Sequence, residues 1–579
     1  MEFKYIDEII EDISINLNVL KKSTEVYECL LYQHKGKFFA DQNKLGNETD
    51  QSELFDNLIA KGKEKNVDLL MTPEYSCPIS TIEKIILDQN NWPAKNKLWV
   101  LGSESMKVEQ LNSILKLANE NLHIEYDESI DPNSSANLDP VFYLFKAQRN
   151  EQELLVVLIQ FKTQHMGVWT SSLERDNFLQ GTYIYVLRNN ENSVNLFTLI
   201  CSEALEFQNA MCSKNIDYLS FDEKPTIILH PQMNPKPKDS GFVRFRNFLM
   251  QFERKELFSL NWHCETTINN TPFPDQLSRS GILFKGNEVQ LTENTFISNF
   301  KIDFHIFHNK KSRYYFFFGN QDQLVHFRNQ PLLPLPGANL ALYRKNGPTI
   351  KNKFVYNIEA GLFETDIKSN NNYIDELNEL GCTNSFITSA DKSILDKERL
   401  CVLCSLFFDK PTSDYSKIEK LVSLHIDENH EVIQRISLID VKCSRNRDVI
   451  TKFITSLNEL ERVINTNELL PKSLINLKEN VNHIGFDITT GSSNYLCNVI
   501  GSDGKSQKAT VTFQSLNITE IEAKKQFKKL LDLFEDENPL KRRVVLYYKQ
   551  GLVDKYETYN KPPSIIDTIE DSPVLIDKL

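Results

Sequence analysis

The sequence predicts an α/β fold, with a large N-terminal domain and an additional C-terminal α/β domain. Three observations carry this. Near-continuous apolar runs alternate with helical apolar stripes. The runs are too long and too uniformly apolar for half-exposed strands, so they suit strands buried on both faces. The 579 residues, 40% hydrophobic and 25% charged, suffice for a large core without disulfide staples and fit one large α/β domain plus a smaller one.

Along the N-terminal part, Asp50 and Glu53 have the spacing of a capping box. Leu54, Phe55, Leu58 and Ile59 then form a helical stripe. Strand-like runs follow: VDLLMTPE ending at Glu74, LWVLG, LLVVLIQFK, LFTLIC and TIILHP. Phe245, Phe248, Leu249 and Phe252 mark an amphipathic helix leading into LFSLNW. Pro331, Pro334, Pro336 and Gly337 punctuate the chain, and a polar stretch follows at Ile367 to Tyr373. The expected organisation is therefore a helical arm over residues 1–23, a domain over 24–340, a connecting segment over 341–395 and a C-terminal α/β domain over 396–579. In that last domain RLCVLCSLFF and VIQRISLIDV read as strands, and Ile450, Phe453, Ile454, Leu457 and Leu460 as a helix. NYLCNVI and KATVTF read as a hairpin around GSDGKS. Thr519 and Glu522 cap a last helix, and RRVVLYY closes the domain as a strand.

The net charge of −13 argues against a general nucleic-acid binder, which would be basic. The acidic N-terminus has no apolar core of a signal peptide, and no run approaches a membrane span. A cytoplasmic protein with reduced thiols is expected. Cys401 and Cys404 form a CxxC inside an apolar run, with no second pair at zinc spacing, so a buried strand accounts for them and no metal site is expected. GSDGKS lacks the first glycine of a phosphate loop, Val499 standing in its place.

Three runs end in complementary polar groups: Glu74, Lys162 and Cys201. Strand ends of α/β sheets project into a common crevice. A thiol beside an ammonium is expected to have a lowered pKa. A carboxylate in reach can take the thiol proton and return it to a leaving amine, and the ammonium can neutralise an oxyanion. Taken singly, each residue is better explained by structure: a strand-end carboxylate, a solvated lysine, a small core cysteine.

The local contexts resemble the nitrilase superfamily of carbon–nitrogen hydrolases. VDLLMTPEYSCP is similar to its glutamate block, FKTQHMGVWTSSLE to its lysine block and FTLICSEALEF to its cysteine block. Order agrees, and the separations of 88 and 39 residues are of the family's kind. Weaker echoes in LLYQHKG, LWVLGSES, RFRNFLMQFERKELFSLNW and SGILFKGNEV extend the resemblance over roughly 24–330. It implies a four-layer αββα sandwich, a homo-oligomer, no cofactor, and hydrolysis of a small-molecule amide through a Cys201 thioester. Glu174 would orient Lys162, and the backbone N–H of Ser202 would join the oxyanion site. Tyr75, His165, Trp169 and Glu203 would line the substrate pocket. Phe161 stands where the family carries a basic residue, and Ser202 where nitrile-cleaving members carry an aromatic, so amides are favoured over nitriles. Insertions between Ala94 and Glu153, including DESIDPNSSANLDP, suggest a remodelled pocket rim. Two alternatives stand beside hydrolysis: acyl transfer to an amine, and a non-enzymatic scaffold or sensor. In the second, the C-terminal domain, through IGFDITTGSSNYL, would bind a protein partner or a nucleotide signal, as in defence proteins.

Overall fold

The computed structural model describes residues 1–284 except 11, 22–25, 166–170, 190–193, 213–223, 250, 253–254 and 276–277, then 323–329 and 349–365. Further on it describes 444–471, 474–475, 483–484, 499–500, 508–516, 518–531 and 539–559. Trp169, Cys401, Cys404 and most of the IGFDITTGSSNYL segment lie outside the described residues. The chain divides into two compact units, Met1–Asn294 with His305–Ile367, and Thr295–Phe304 with Lys368–Leu579.

In the first unit the elements run in order β1 (Glu2–Tyr5), β2 (Tyr27–Gln33), α1 (Ser52–Glu64), β3 (Leu69–Met71), α2 (Ile79–Leu87), β4 (Leu98–Gly102), α3 (Val108–Leu115) and β5 (Leu122–Tyr126). A long hairpin follows, β6 (Pro140–Arg149) and β7 (Gln152–Phe161), and then α4 (Ser171–Asn177), β8 (Tyr183–Leu187), β9 (Asn195–Thr198) and α5 (Glu203–Cys212). The rest comprises β10 (Thr226–Gln232), α6 (Ser240–Leu249), β11 (Lys255–Asn261), β12 (Gly281–Phe284), β13 (Gln323–Asn329), β14 (Thr349–Asn357) and β15 (Leu362–Thr365). They build a nine-stranded sheet, β15-β14-β13-β2-β3-β4-β6-β7-β5, and a six-stranded sheet, β1-β8-β9-β10-β11-β12.

Strand alternation assigns the faces of the larger sheet. Leu30 and Tyr32, Trp99 and Leu101, and Leu155, Val157 and Ile159 pack with the apolar stripes of α1, α2 and α3 in one core. The intervening residues, such as Leu31, Val100, Val156 and Leu158, are equally buried. On that register Tyr27 donates to Glu256 Oε2 at 3.2 Å, and Gln160 donates to the Thr198 carbonyl at 3.0 Å. Both partners belong to strands of the smaller sheet, so buried polar groups tie the two sheets together.

Helix α1 has the expected stripe but not the expected capping box. Asp50 accepts from the N–H and hydroxyl of Ser52, and Gln51 is the N-cap without a side-chain bond. The Asp50 carboxylate satisfies a turn just ahead of the helix, which competes with reaching further in.

Two parts of the expected organisation are corrected. The expected arm over 1–23 is helical only at Ile6–Ile9 and in a 3-10 turn at Asn18–Leu20, and it begins instead as a strand: β1 pairs in parallel with β8, Glu2 opposite Tyr183 through Tyr5 opposite Val186. Its residues alternate too briefly for periodicity to separate strand from helix. The segment expected to connect domains contains β14 and β15, which extend the nine-stranded sheet. Phe354 and Phe363 are buried there, Phe363 edge-on to Tyr32 at 5.7 Å. The proline cluster therefore interrupts the first unit and does not end it.

The second unit, taken by itself, carries α7 (Ser444–Asn465), α8 (Glu520–Leu531) and a sheet ordered β16 (His483–Ile484), β17 (Val499–Ile500), β18 (Lys508–Leu516), β19 (Val544–Gln550) and β20 (Val553–Thr558). The expected hairpin is β17 on β18, antiparallel. The expected cap of α8 forms in both directions: Thr519 N–H donates to Glu522 at 3.0 Å and Glu522 N–H to the Thr519 hydroxyl at 3.3 Å. Among the described residues of the chain, no helix is long and apolar enough to cross a membrane.

If β15 is part of the core, Phe363→Ala should cost about 3–5 kcal/mol in denaturant unfolding. Ile358→Ala, at a hairpin tip 86% exposed, should stay within about 0.5 kcal/mol. Equal effects would remove the hairpin from the core.

Candidate active site

The three strand ends converge. Beyond β3 the chain turns through Thr72 and Pro73, pinned by Gly102 N–H donating to the Thr72 hydroxyl at 3.0 Å and by Ser76 N–H on the Gly102 carbonyl at 3.1 Å. This turn delivers Glu74, whose own carbonyl accepts from Trp262 Nε1 at 2.7 Å. Beyond β7, Lys162 N–H donates to the Asp139 carbonyl at 3.0 Å. Beyond β9, Cys201 N–H donates to the Pro231 carbonyl at 3.0 Å, and the Cys201 carbonyl accepts from His230 Nε2 at 3.0 Å. Two glycines make room for these turns. A Cβ on Gly102 would lie 2.2 Å from the Pro73 oxygen, and one on Gly181 2.4 Å from the Phe161 oxygen.

Lys162 Nζ lies 2.7 Å from Glu74 Oε1, 3.1 and 3.2 Å from the two oxygens of Glu174, and 3.5 Å from Asp139 Oδ2. Glu74 Oε2 accepts from Met233 N–H at 2.6 Å. The Cys201 thiol is hydrogen-bonded to Glu74 and feels the Lys162 charge. Glu74, Asp139, Lys162, Glu174 and Cys201 are all buried, none more than 3% exposed. Cys201 and Tyr75 hold positive φ, 43° and 58°. Side chains with a Cβ avoid that region, so the surrounding turns impose it, at a cost of about 1–3 kcal/mol each.

The electrostatics correct one expectation. Burial, the Glu74 carboxylate and Glu174 push the Cys201 thiol well above its ordinary pKa, and Lys162 only partly opposes them. Burial alone would lower Lys162, but Glu174 and Glu74 above all hold it firmly protonated. Its charge is already matched by carboxyls, so it does not pre-ionise the thiol. Glu74 is raised by burial, with Lys162 pulling the other way.

The remaining candidates divide. Glu174 grips Lys162 from α4 and accepts from the Tyr75 hydroxyl at 3.3 Å. His165 Nδ1 stands 4.0 Å from Glu174 Oε2, and burial lowers its pKa. Ser202 follows the thiol, its hydroxyl donating to the Gln164 carbonyl at 2.7 Å. Glu203 is fully buried and engaged by backbone donors. Its two oxygens accept from Thr163 and Ile200 N–H groups, both at 2.6 Å, and it clasps the lysine and cysteine turns together. Burial raises its carboxyl to about 7. Sequence reasoning misses Asp139, although β6 and β7 pair Pro140 with Phe161, which sets Asp139 opposite Lys162. A polar surface recess of about 340 Å³ is lined by residues including Lys44, Pro78, Glu104 and Asn137, and none of Glu74, Lys162 and Cys201 lines it.

Because the Gly102 approach positions the Pro73–Glu74 turn, Gly102→Ala should move Glu74 off Lys162 and Cys201. Alkylation kinetics followed by peptide mapping should show Cys201 losing any rate advantage over Cys29 and Cys77. An unchanged advantage would show that the turn accommodates the methyl group.

No family model matches the sequence, and no curated protein matches it. Solved structures do. A cysteine-to-serine mutant of the Nesterenkonia AN1 amidase from the nitrilase superfamily is 14% identical, over 44% of this chain and 83% of that one, with a TM-score of 0.25. XC1258 from Xanthomonas campestris, a CN-hydrolase superfamily protein, is 11% identical over 44% and 82%, with a TM-score of 0.26. A glutamine-dependent NAD+ synthetase from Acinetobacter baumannii is 11% identical over 54% of this chain and 48% of its own, with a TM-score of 0.30. TM-scores at this level add no argument to the geometry of the site. Over about 44% of its length the chain is similar to amidases and CN-hydrolases of the nitrilase superfamily.

Proposed function

We propose that this protein hydrolyses a non-peptide amide C–N bond through a thioester on Cys201. One observation carries the reading: a thiol, a carboxylate and an ammonium, supplied by three separate strand ends, share one buried cluster in which Glu74 touches both of the others. In this reading the two sheets are the inner layers of an αββα sandwich and the strand ends open at one edge.

Glu74 takes the thiol proton as Cys201 sulfur attacks the amide carbon, so charge on sulfur never accumulates in the buried site. The carbonyl electrons move onto oxygen, where Lys162 and the Ser202 N–H hold the oxyanion. Collapse of this intermediate breaks the C–N bond, and Glu74 returns its proton to the departing nitrogen. Water then enters and gives a proton to Glu74 as its oxygen attacks the thioester. The acid leaves, and the proton returns to sulfur. Glu174 holds the ammonium in place throughout.

The pH dependence follows from the protonation states. Glu74 must be ionised to act as base, and burial raises its pKa. Reaction of Cys201 with iodoacetamide should therefore fall as pH drops through a midpoint above the ordinary carboxylate range. Glu74→Gln should abolish that acid limb along with turnover. A profile that follows only an ordinary thiol, with no dependence on Glu74, would refute the base assignment.

Lys162→Met leaves the carboxyls without their cation. It should shift the acid limb to higher pH, because Lys162 lowers the Glu74 pKa. Loss of the oxyanion contact should cost about a hundred- to a thousandfold in turnover on a responsive amide. Lys162→Arg keeps the charge, but its planar fork does not reproduce a point donor 2.7 Å from Glu74, so turnover should be lost there too. The assay is ammonia or amine release across a panel of small amides, with Cys201→Ala as the blank. Parental turnover in Lys162→Met would sink the reading.

A further inference from the structure

The Lys162 cluster contains more acid than the proposed reaction uses. Three carboxyls surround one ammonium, each from a different element: Glu74 after β3, Glu174 in α4, and Asp139 just ahead of β6. Glu74, Glu174, Asp139 and Lys162 are 1%, 3%, 3% and 2% exposed. Were all three acids ionised, two negative charges would stand uncompensated in a site shut away from solvent, which costs several kcal/mol per ion. The cluster therefore keeps at least one proton, and with one held a single negative charge remains unmatched.

The hydrogen bonds indicate where. Donors to a carboxylate favour its charged form. Each Glu74 oxygen has one, Lys162 Nζ at 2.7 Å and Met233 N–H at 2.6 Å. Both Glu174 oxygens accept from Lys162, and Oε1 also accepts from Tyr75. Asp139 differs. Lys162 approaches it only to 3.5 Å, and among the described residues none donates a hydrogen bond of good geometry to either oxygen. The Tyr75 hydroxyl is close enough to favour its charged form to some degree, but the hydroxyl donates to Glu174 at 3.3 Å.

We propose that Asp139 is a positioning residue that carries the proton of this cluster, flanking Lys162 as a neutral acid and thereby leaving Glu74 ionised as the base. The inference rests on the amidase reading of Glu74, Lys162 and Cys201. The surrounding groups agree with it. Burial, Glu74 and Glu174 raise the Asp139 carboxyl well above its ordinary range, with Lys162 and the Tyr75 hydroxyl opposing them. Tyr75 remains an un-ionised phenol. His165, the remaining basic group at the cluster, is lowered by burial and so adds no second cation. The Cys201 thiol rests protonated on Glu74.

The test is an infrared difference spectrum of the full chain, parent minus Asp139→Asn. It is recorded well above pH 7 so that Glu203, whose carboxyl titrates at about 7, is ionised. The parent should show a carbonyl stretch of a protonated carboxylic acid that is lost in Asp139→Asn and kept in Glu74→Gln. Asparagine copies the shape of the neutral acid, so the acid limb of Cys201 alkylation should not shift. If Asp139 is instead ionised, the substitution removes a negative charge and moves that limb to lower pH. Such a shift overturns the proposal, as does a parent without the band, which needs no variant to fold. Failure of the amidase reading is separable: Cys201 would then show no preferential alkylation in any variant, while the band still reports on Asp139.

Discussion

The ammonium of Lys162 is shut away from solvent, and much of the first unit follows from that. A buried cation costs several kcal/mol unless well-placed anions offset the lost hydration. Here the carboxylates arrive from the turn after β3 and from α4, at 2.7 and 3.1 Å, and the Asp139 carboxyl stands by from the start of β6 at 3.5 Å. No one element could supply them all. The cation thus couples the ends of strands far apart in sequence, and a shift in any of them leaves a buried charge without its partner. Gly102 and Gly181 serve this coupling, since each lets a backbone approach the residue just before Glu74 or Lys162 closer than a methyl group would allow.

The same cluster decides how the thiol is activated. A cysteine next to a free lysine would rest as thiolate. Lys162 is not free, because its charge is spoken for by carboxyls, so the thiol rests protonated and, in the proposed reaction, gives up its proton only as it attacks. Glu203 extends the arrangement on the other side, binding the N–H of Thr163 and of Ile200 with one carboxylate. A residue with the spacing of a pocket acid is in fact a clasp between the lysine turn and the cysteine turn.

Sequence exposes what depends on short-range pattern. Apolar runs ending in Glu74, Lys162 and Cys201 mark strand ends, and strand ends meet in a crevice, so those three are legible. The stripe of α1 is legible because its period is helical over several turns. β14 and β15 are obscured by the prolines ahead of them, although Phe354 and Phe363 anchor them to Tyr32 and its neighbours. β1 is too short to show a period. Asp139 is hidden differently. Asn150 and Glu151 both take positive φ, as a two-residue hairpin turn requires, and pair Arg149 with Gln152. Counting outward from that turn sets Asp139 against Lys162. The information is present in sequence, but only for a reader who already knows where the turn lies.

The pairing of β2 with β13 has a consequence for synthesis. Asn329 donates to the Tyr27 hydroxyl across a separation of 302 residues. A ribosome adding roughly 5–20 residues per second needs about 15–60 s to cover that interval. β2 can dock on β3 early, since Cys29 pairs with Leu69, but its other edge waits for β13. During that wait Tyr27 to Gln33, an apolar strand in the finished protein, presents an open row of backbone donors and acceptors. The nascent chain is therefore open to mispairing along this edge until residue 329 has been added.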